Sequence, residues 1–532
     1  MTNSSKTPNG VAEKRGWFTR FLDTVEFLGN LLPHPVTLFA CFALAVVFGS
    51  GIAAYFDFSA IDPRPEGTAG RAADGTIQVV SLMTVDGLQR IVSNLVTNFT
   101  GFAPLGVVLV ALLGVSVAEH SGLISAAMRG LVMNASKRMV TVTIVFAGII
   151  SNTASELGYV VLIPMAALIF YSLGRHPLAG LAAAFAGVSG GYSANLFIGT
   201  VDPLLAGFTT SAANLIDPNY VVGPEANWFF MIVSTFLIAI LGAFVTEKIV
   251  EPKLGKYDPS EAAVDLGEQT LERLTAAEKR GLIGAGLTFL ALCILLALSV
   301  VPENGVLRHP VTGLVEDSPF LKGIVVFIFI TFGIPGYVYG RIVGTMKTDR
   351  DVINAMAKSM SSMGLYIVLV FFAAQFVAFF GWSNLGAIMA VKGATLLQTI
   401  GLTGPELFIF FIAMCAIVNL SLGSASAQWA IFAPIFVPML MIVGYSPEVI
   451  QAAYRIGDSV TNLITPMMSY FGLILAVAAR YKKDMGIGTL IATMLPYTMV
   501  FFVGWVLLFY VWVFLIGAPV GPGAPTYYEF KQ

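Results

Sequence analysis

Apolar runs long enough to cross a bilayer recur along this chain, and no other feature narrows its fold as far. They lie at roughly 31–55, 103–118, 178–210, 226–247, 281–301, 321–341, 364–380, 447–478 and 489–516. About 20 apolar residues are needed to span, because a helix must satisfy its own backbone in hydrocarbon. Nine transmembrane helices are therefore predicted. Only 11% of residues are charged, against about 25% in soluble domains. The fold class is an all-α polytopic membrane protein.

Two further apolar regions do not fit as single spans. In 139–172 the polar run Ser151-Asn152-Thr153-Ala154-Ser155-Glu156 separates two short helical halves, and in 405–444 Asn419 to Ser426 does the same. Such halves suit re-entrant hairpins, whose polar tips are tolerated where they are buried in protein or line a wet cavity. Charge tests the arrangement. With a cytoplasmic N-terminus and both hairpins returning to their side of entry, only six of the 29 Lys+Arg fall outside: Arg64, Arg71, Arg90, Arg308, Lys322 and Lys531. Lys392 and Arg455 are left over, and the remainder are cytoplasmic, as the positive-inside rule requires. Residues 1–30 then form a cytoplasmic tail, 31–517 the membrane domain and 518–532 an external tail. The stretch 56–100 reads as an external loop, and 248–280 as a cytoplasmic loop with one amphipathic helix.

Two segments, about 103–205 and 364–478, share the order span, hairpin, span with a break. Ser121-Gly122-Leu123 matches Ser383-Asn384-Leu385, and His176-Pro177 with Gly187 matches Ser446-Pro447 with Gly457 at the same interval. In the topology above they enter from opposite sides, so an inverted repeat with broken helices is expected, a recurring transporter plan. The run Gly187 to Asn195 is too rich in Gly and Ser for a rigid helix interior. Unwinding there frees carbonyls for a cation and N–H groups for an anion.

Against this background Arg455 and Asp458 stand out, since a charge at mid-bilayer costs about 2.5–3.5 kcal/mol even on insertion scales. Asp458 reads as a coupling site or as a structural partner for Arg455. Arg455 suits a bidentate grip on a substrate carboxylate, or compensates the acids. Asp202 reads as a proton or cation site, or as an interfacial acid capping the next helix. Trp429 suits stacking on an aromatic substrate or anchoring at the interface. The tips and breaks add Asn152, Ser155, Asn195, Ser424 and Asn462 as support.

Other classes fall away. A formal net charge of −2 argues against a nucleic-acid partner. Cys41, Cys293 and Cys415 lie singly in apolar segments and read as core residues. No phosphate-binding Gly-x-x-x-x-Gly-Lys-Ser/Thr occurs, so no ATP-driven step is expected of this chain. His-Glu-x-x-His is also missing, and four histidines scattered along the chain supply no intramembrane enzyme.

The run Ser424-Ala425-Ser426-Ala427-Gln428-Trp429-Ala430, then Tyr454 to Ser459 and Asn462 to Pro466, with Gly199 to Pro203 upstream, resembles the AbgT family of p-aminobenzoyl-glutamate transporters. The resemblance implies nine spans and two hairpins per protomer, a homodimer in the bacterial inner membrane, and transport of p-aminobenzoyl-glutamate. Some members are associated with export of sulfonamide antimetabolites, the alternative function. Residues implicated in the family fall on Asp202, Asn419, Ser426, Trp429, Arg455, Asp458 and Pro466. No cofactor is implied. The expected coupling ion is a proton carried by Asp202 or Asp458. Sodium near Asn152, Asn195, Asn419 and Asn462 is the alternative.

Overall fold

The computed structural model describes residues 33–529 apart from 67–70, 155–157, 264–272 and 316–317. Helices of nine or more residues are numbered in chain order: α1 Pro35–Tyr55, α2 Val85–Thr100, α3 Ala103–His120, α4 Leu123–Met133, α5 Val140–Ser151, α6 Ile163–Ser172, α7 Pro177–Phe185, α8 Val201–Ala213, α9 Trp228–Val245, α10 Ala276–Val300, α11 Ile324–Val343, α12 Asp349–Ser362, α13 Gly364–Trp382, α14 Leu385–Thr399, α15 Leu407–Leu422, α16 Ala425–Val443, α17 Pro447–Thr461, α18 Phe471–Tyr481 and α19 Ile487–Phe509. The described strands are the short antiparallel pair β1 Ser59–Ile61 and β2 Thr76–Gln78.

The result is an all-α polytopic membrane protein. Among the described residues, eight helical stretches are long and apolar enough to cross a bilayer. Their number differs from the nine predicted spans for a physical reason. The runs 178–210 and 447–478 are each cut into pieces too short to cross alone, whereas α16, one arm of a predicted hairpin, passes by length. Only 11% of the apolar window of α10 is buried, so most of this helix faces outward. By contrast α7 and α17 are buried along their entire length, which is where polar chemistry can be shielded.

The two predicted loops carry structure of their own. The predicted loop 56–100 contains a β-hairpin and the amphipathic helix α2, capped by Thr84 through Gly87 N–H. Its Leu88, Ile91, Leu95 and Phe99 repeat at helical spacing, a period that a search for long apolar runs overlooks. The described part of 248–280 carries a short helix, Glu251–Leu254, and a single 3-10 turn, Pro259–Glu261; residues 264–272, where the expected amphipathic helix has room, lie outside the described residues. After α11 the amphipathic helix α12 is started by a Thr348–Asp351 capping box.

The two segments matched by sequence have the same local geometry. Between α3 and α4, Gly122 has φ +89°, and between α13 and α14, Asn384 has φ +60°. Each follows a serine whose hydroxyl donates to a carbonyl three residues back and accepts from the N–H two residues on. Further along, His176 and Ser446 cap α7 and α17, with proline at the first helical position of each. α5 packs on the π-helical turn that continues α7, and α15 packs on α17.

Candidate functional site

Both buried helices stop where their composition disfavours helix. α7 continues as a π-turn to Gly190, and the chain is irregular until α8 begins at Val201. α17 ends at Thr461, and irregular backbone including Pro466 leads to α18 at Phe471. Each break is held by its neighbouring hairpin. Asn152 Nδ2 donates to Val188 O (3.0 Å), and Asn419 Nδ2 donates to Asp458 O (2.7 Å) and to Asn462 Oδ1 (2.8 Å). Thr153 Oγ1 donates to Asn195 Oδ1 (3.0 Å), and Thr465 Oγ1 to Leu420 O (2.8 Å). The hairpin turn at Gly423, with φ +58°, sits so close to the backbone of Met467 that a Cβ there would meet it at 2.9 Å. Ser155 and Glu156 lie outside the described residues.

Arg455 pairs with the acid of the other segment. Its Nη2 lies 2.6 Å from Asp202 Oδ1, with both side chains almost fully buried. The sequence offered Asp458 as a structural partner because it is three residues away on one face; the ion pair instead joins α17 to the first turn of α8. Asp202 is 2% exposed, and its Oδ2 also accepts from Gly199 N–H (2.6 Å), which closes the turn before α8. Among buried atoms, Arg455 Nε, Asp458 Oδ1 and Asn419 Oδ1 lack a hydrogen-bond partner. One unsatisfied donor and two unsatisfied acceptors are thus concentrated at the second break, where such groups ordinarily cost about 1–3 kcal/mol each. Ser193 N–H donates to Ser459 Oγ (3.1 Å), which ties the first break to the last turn of α17.

Trp429 is fully buried, stacked on Tyr454 with centroids 4.3 Å apart, and its Nε1 donates to Thr209 Oγ1 (2.9 Å). From there a buried polar chain runs through Gln451 to Asn227 (2.8 Å) and on to the Glu448 carbonyl (2.8 Å). Tyr220 donates to the Glu448 carboxylate (2.9 Å). Nearby, in the connection between α8 and α9, burial pushes the Glu225 carboxyl up to about 7.

A cavity of about 260 Å³ opens where these parts meet. Asn152, Tyr159, Tyr192 and Thr200 line it from the first segment, and Ser424, Ser426, Asn462, Met468 and Tyr470 from the second. Of the residues singled out by sequence, Asn152, Ser424, Ser426 and Asn462 therefore reach the cavity. Asn419, Trp429, Arg455, Asp458, Asp202, Asn195 and Pro466 do not line it. The tyrosines were missed because aromatic residues abound in apolar segments and carry no charge signal. Spacing was the available clue: Tyr159 follows Asn152 by seven residues, as Ser426 follows Asn419.

Comparison with known proteins adds three findings. The AbgT putative transporter family matches the chain over residues 20–528. The p-aminobenzoyl-glutamate transport protein of Escherichia coli (strain K12) is 38% identical over 500 residues, covering 94% of this chain and 95% of that protein. Among solved structures, Neisseria gonorrhoeae MtrF, presented as illuminating a class of antimetabolite efflux pumps, superposes with a TM-score of 0.90 at 64% identity, covering 95% of this chain and all of that one. The Alcanivorax borkumensis YdaH transporter does so with 0.85 at 46% identity, covering 92% and 100%.

Proposed function

This chain belongs to the AbgT transporter family, and from that premise we propose that it moves p-aminobenzoyl-glutamate and related aryl-amide carboxylates by secondary active transport. The observation that carries the proposal is the cavity shared by both hairpins and both breaks, together with the buried Arg455–Asp202 pair. In this reading the protein has nine spans and two re-entrant hairpins in an inverted repeat, sits in the bacterial inner membrane with its N-terminus in the cytoplasm, and forms a homodimer. Matching turns at Gly122 and Asn384, and matching asparagine contacts in the two hairpins, support the repeat.

Arg455 takes the substrate carboxylate. Its Nε is free while its Nη2 holds Asp202, so an arriving anion competes with an acid for one guanidinium. That exchange couples substrate to ion: when the carboxylate displaces Asp202, the acid needs a proton. Asp458, with one oxygen lacking a donor, is the other coupling acid. Ser424, Ser426 and Asn462 supply hydrogen bonds for the amide link. Sodium is the second reading, favoured by the two unpartnered acceptors Asn419 Oδ1 and Asp458 Oδ1. Export of sulfonamide antimetabolites is the second reading for direction, favoured by the likeness to MtrF.

Proteoliposomes with imposed gradients test this. Labelled p-aminobenzoyl-glutamate and a sulfonamide should move against their gradients when a proton gradient is applied. Dependence on sodium alone transfers the coupling role to the Asn419–Asp458 site. Movement indifferent to either gradient rejects secondary active transport.

A further inference from the structure

One aromatic pair in the cavity wall stands outside everything the sequence singled out. Tyr159, at the start of the second arm of hairpin one, and Tyr470, at the end of the second break, are stacked with centroids 4.8 Å apart and planes within 4°. Both rings line the same cavity as Ser426 and Asn462. Tyr159 is held in place by a hydrogen bond between its hydroxyl and Ser189 Oγ (2.8 Å). Trp429, the aromatic residue the sequence favours, is fully buried against Tyr454 with its indole N–H already used.

We propose that Tyr159 and Tyr470 form the aryl-binding wall of the transport cavity, against which the aromatic ring of the substrate stacks. The inference rests on the transport reading above and names which residues read the ring. Spacing supports it. Tyr159 and Ser426 occupy equivalent places, seven residues past Asn152 and Asn419. One hairpin thus presents an aromatic face where the other presents a hydroxyl. A ligand with a flat apolar end and a polar amide end meets a matching surface at both ends. Aromatic pairs favour offset stacking at separations of about 4.5–7 Å, so a third ring can join this pair without leaving that range.

Binding to purified full-length protein decides the matter. The probes are labelled p-aminobenzoyl-glutamate, a sulfonamide, and a non-aromatic acyl-glutamate as competitor. Tyr159→Leu and Tyr470→Leu should each weaken both aryl ligands by about three- to tenfold and leave the non-aromatic competitor unchanged. Tyr470→Phe should bind all three as the wild type does. Methionine at the same positions fills comparable space with a flexible thioether and repeats the comparison if a leucine variant fails to accumulate. Equal loss for aromatic and non-aromatic ligands, or no loss, shows that the pair only packs one element on another and overturns the proposal. A wild type that binds neither aryl ligand overturns the substrate class instead, a separate result.

Discussion

Arg455 shows what a single side chain reveals before any fold is known. Its charge in an apolar stretch marks it at once, but its partner Asp202 lies far upstream, and helical spacing points only to neighbours such as Asp458. Family resemblance named both residues without saying that they touch. Removing one member of a buried pair leaves the other uncompensated, at a cost of about 3–5 kcal/mol. Arg455→Ala should therefore lower protein abundance as well as transport. The double variant Arg455→Met/Asp202→Leu should restore abundance in the membrane, read by quantitative blotting, and still not transport. Recovered transport would show that the pair serves only the fold. Glu225 makes a different prediction. Burial raises its pKa from 4.5 to about 7, so between those values the native protein holds a proton that the unfolded chain has released. Stability is retained below pH 4.5 and falls as pH rises through 7, by roughly 3 kcal/mol in all. Glu225→Gln should flatten that part of the melting-temperature profile in detergent; an unchanged profile would assign the dependence to other groups.

Elements were legible in proportion to their hydropathy. Long apolar helices such as α1, α9 and α10 could be placed from the sequence within a few residues, and Gly, Ser and Asn content marked where α7 and α17 stop. α2, α4 and α14 escaped notice, since each is too short or too polar for a span. What sequence could not supply is how closely hairpins and broken helices pack. A Cβ on Gly187 would lie 2.2 Å from Val145 O, and one on Gly457 would lie 2.5 Å from Ile412 O. Each contacted residue stands seven before the asparagine of its hairpin. Gly187→Ala and Gly457→Ala should each cost about 1–3 kcal/mol or more by overpacking, lowering the melting midpoint and abolishing transport. Gly106→Ala in α3, whose added Cβ meets nothing within 4 Å, should be neutral or slightly stabilising. Similar losses at all three positions would mean that helix flexibility, not close approach, explains the glycines.

At the scale of the whole molecule, the proposed topology can be tested with single cysteines in a chain whose Cys41, Cys293 and Cys415 are replaced. An impermeant maleimide added to intact cells with a permeabilised outer envelope should label Glu303→Cys and spare Lys347→Cys. Lys137→Cys and Ser172→Cys, at the two feet of hairpin one, should both be spared until the inner membrane is opened. Labelling at one foot alone would make that segment a full crossing and reverse every later element. The Asp202–Arg455 pair also has a consequence for biogenesis. Asp202 leaves the ribosome about 250 residues before Arg455, and at about 5–20 residues per second that is a delay of tens of seconds at the slow end. Throughout it the first half of the chain carries an acid with no counter-ion in the bilayer. A nascent chain halted after α10 would be recognisably unfinished, and membrane quality control has in that lone carboxylate a chemical mark by which to tell a half-made transporter from a complete one.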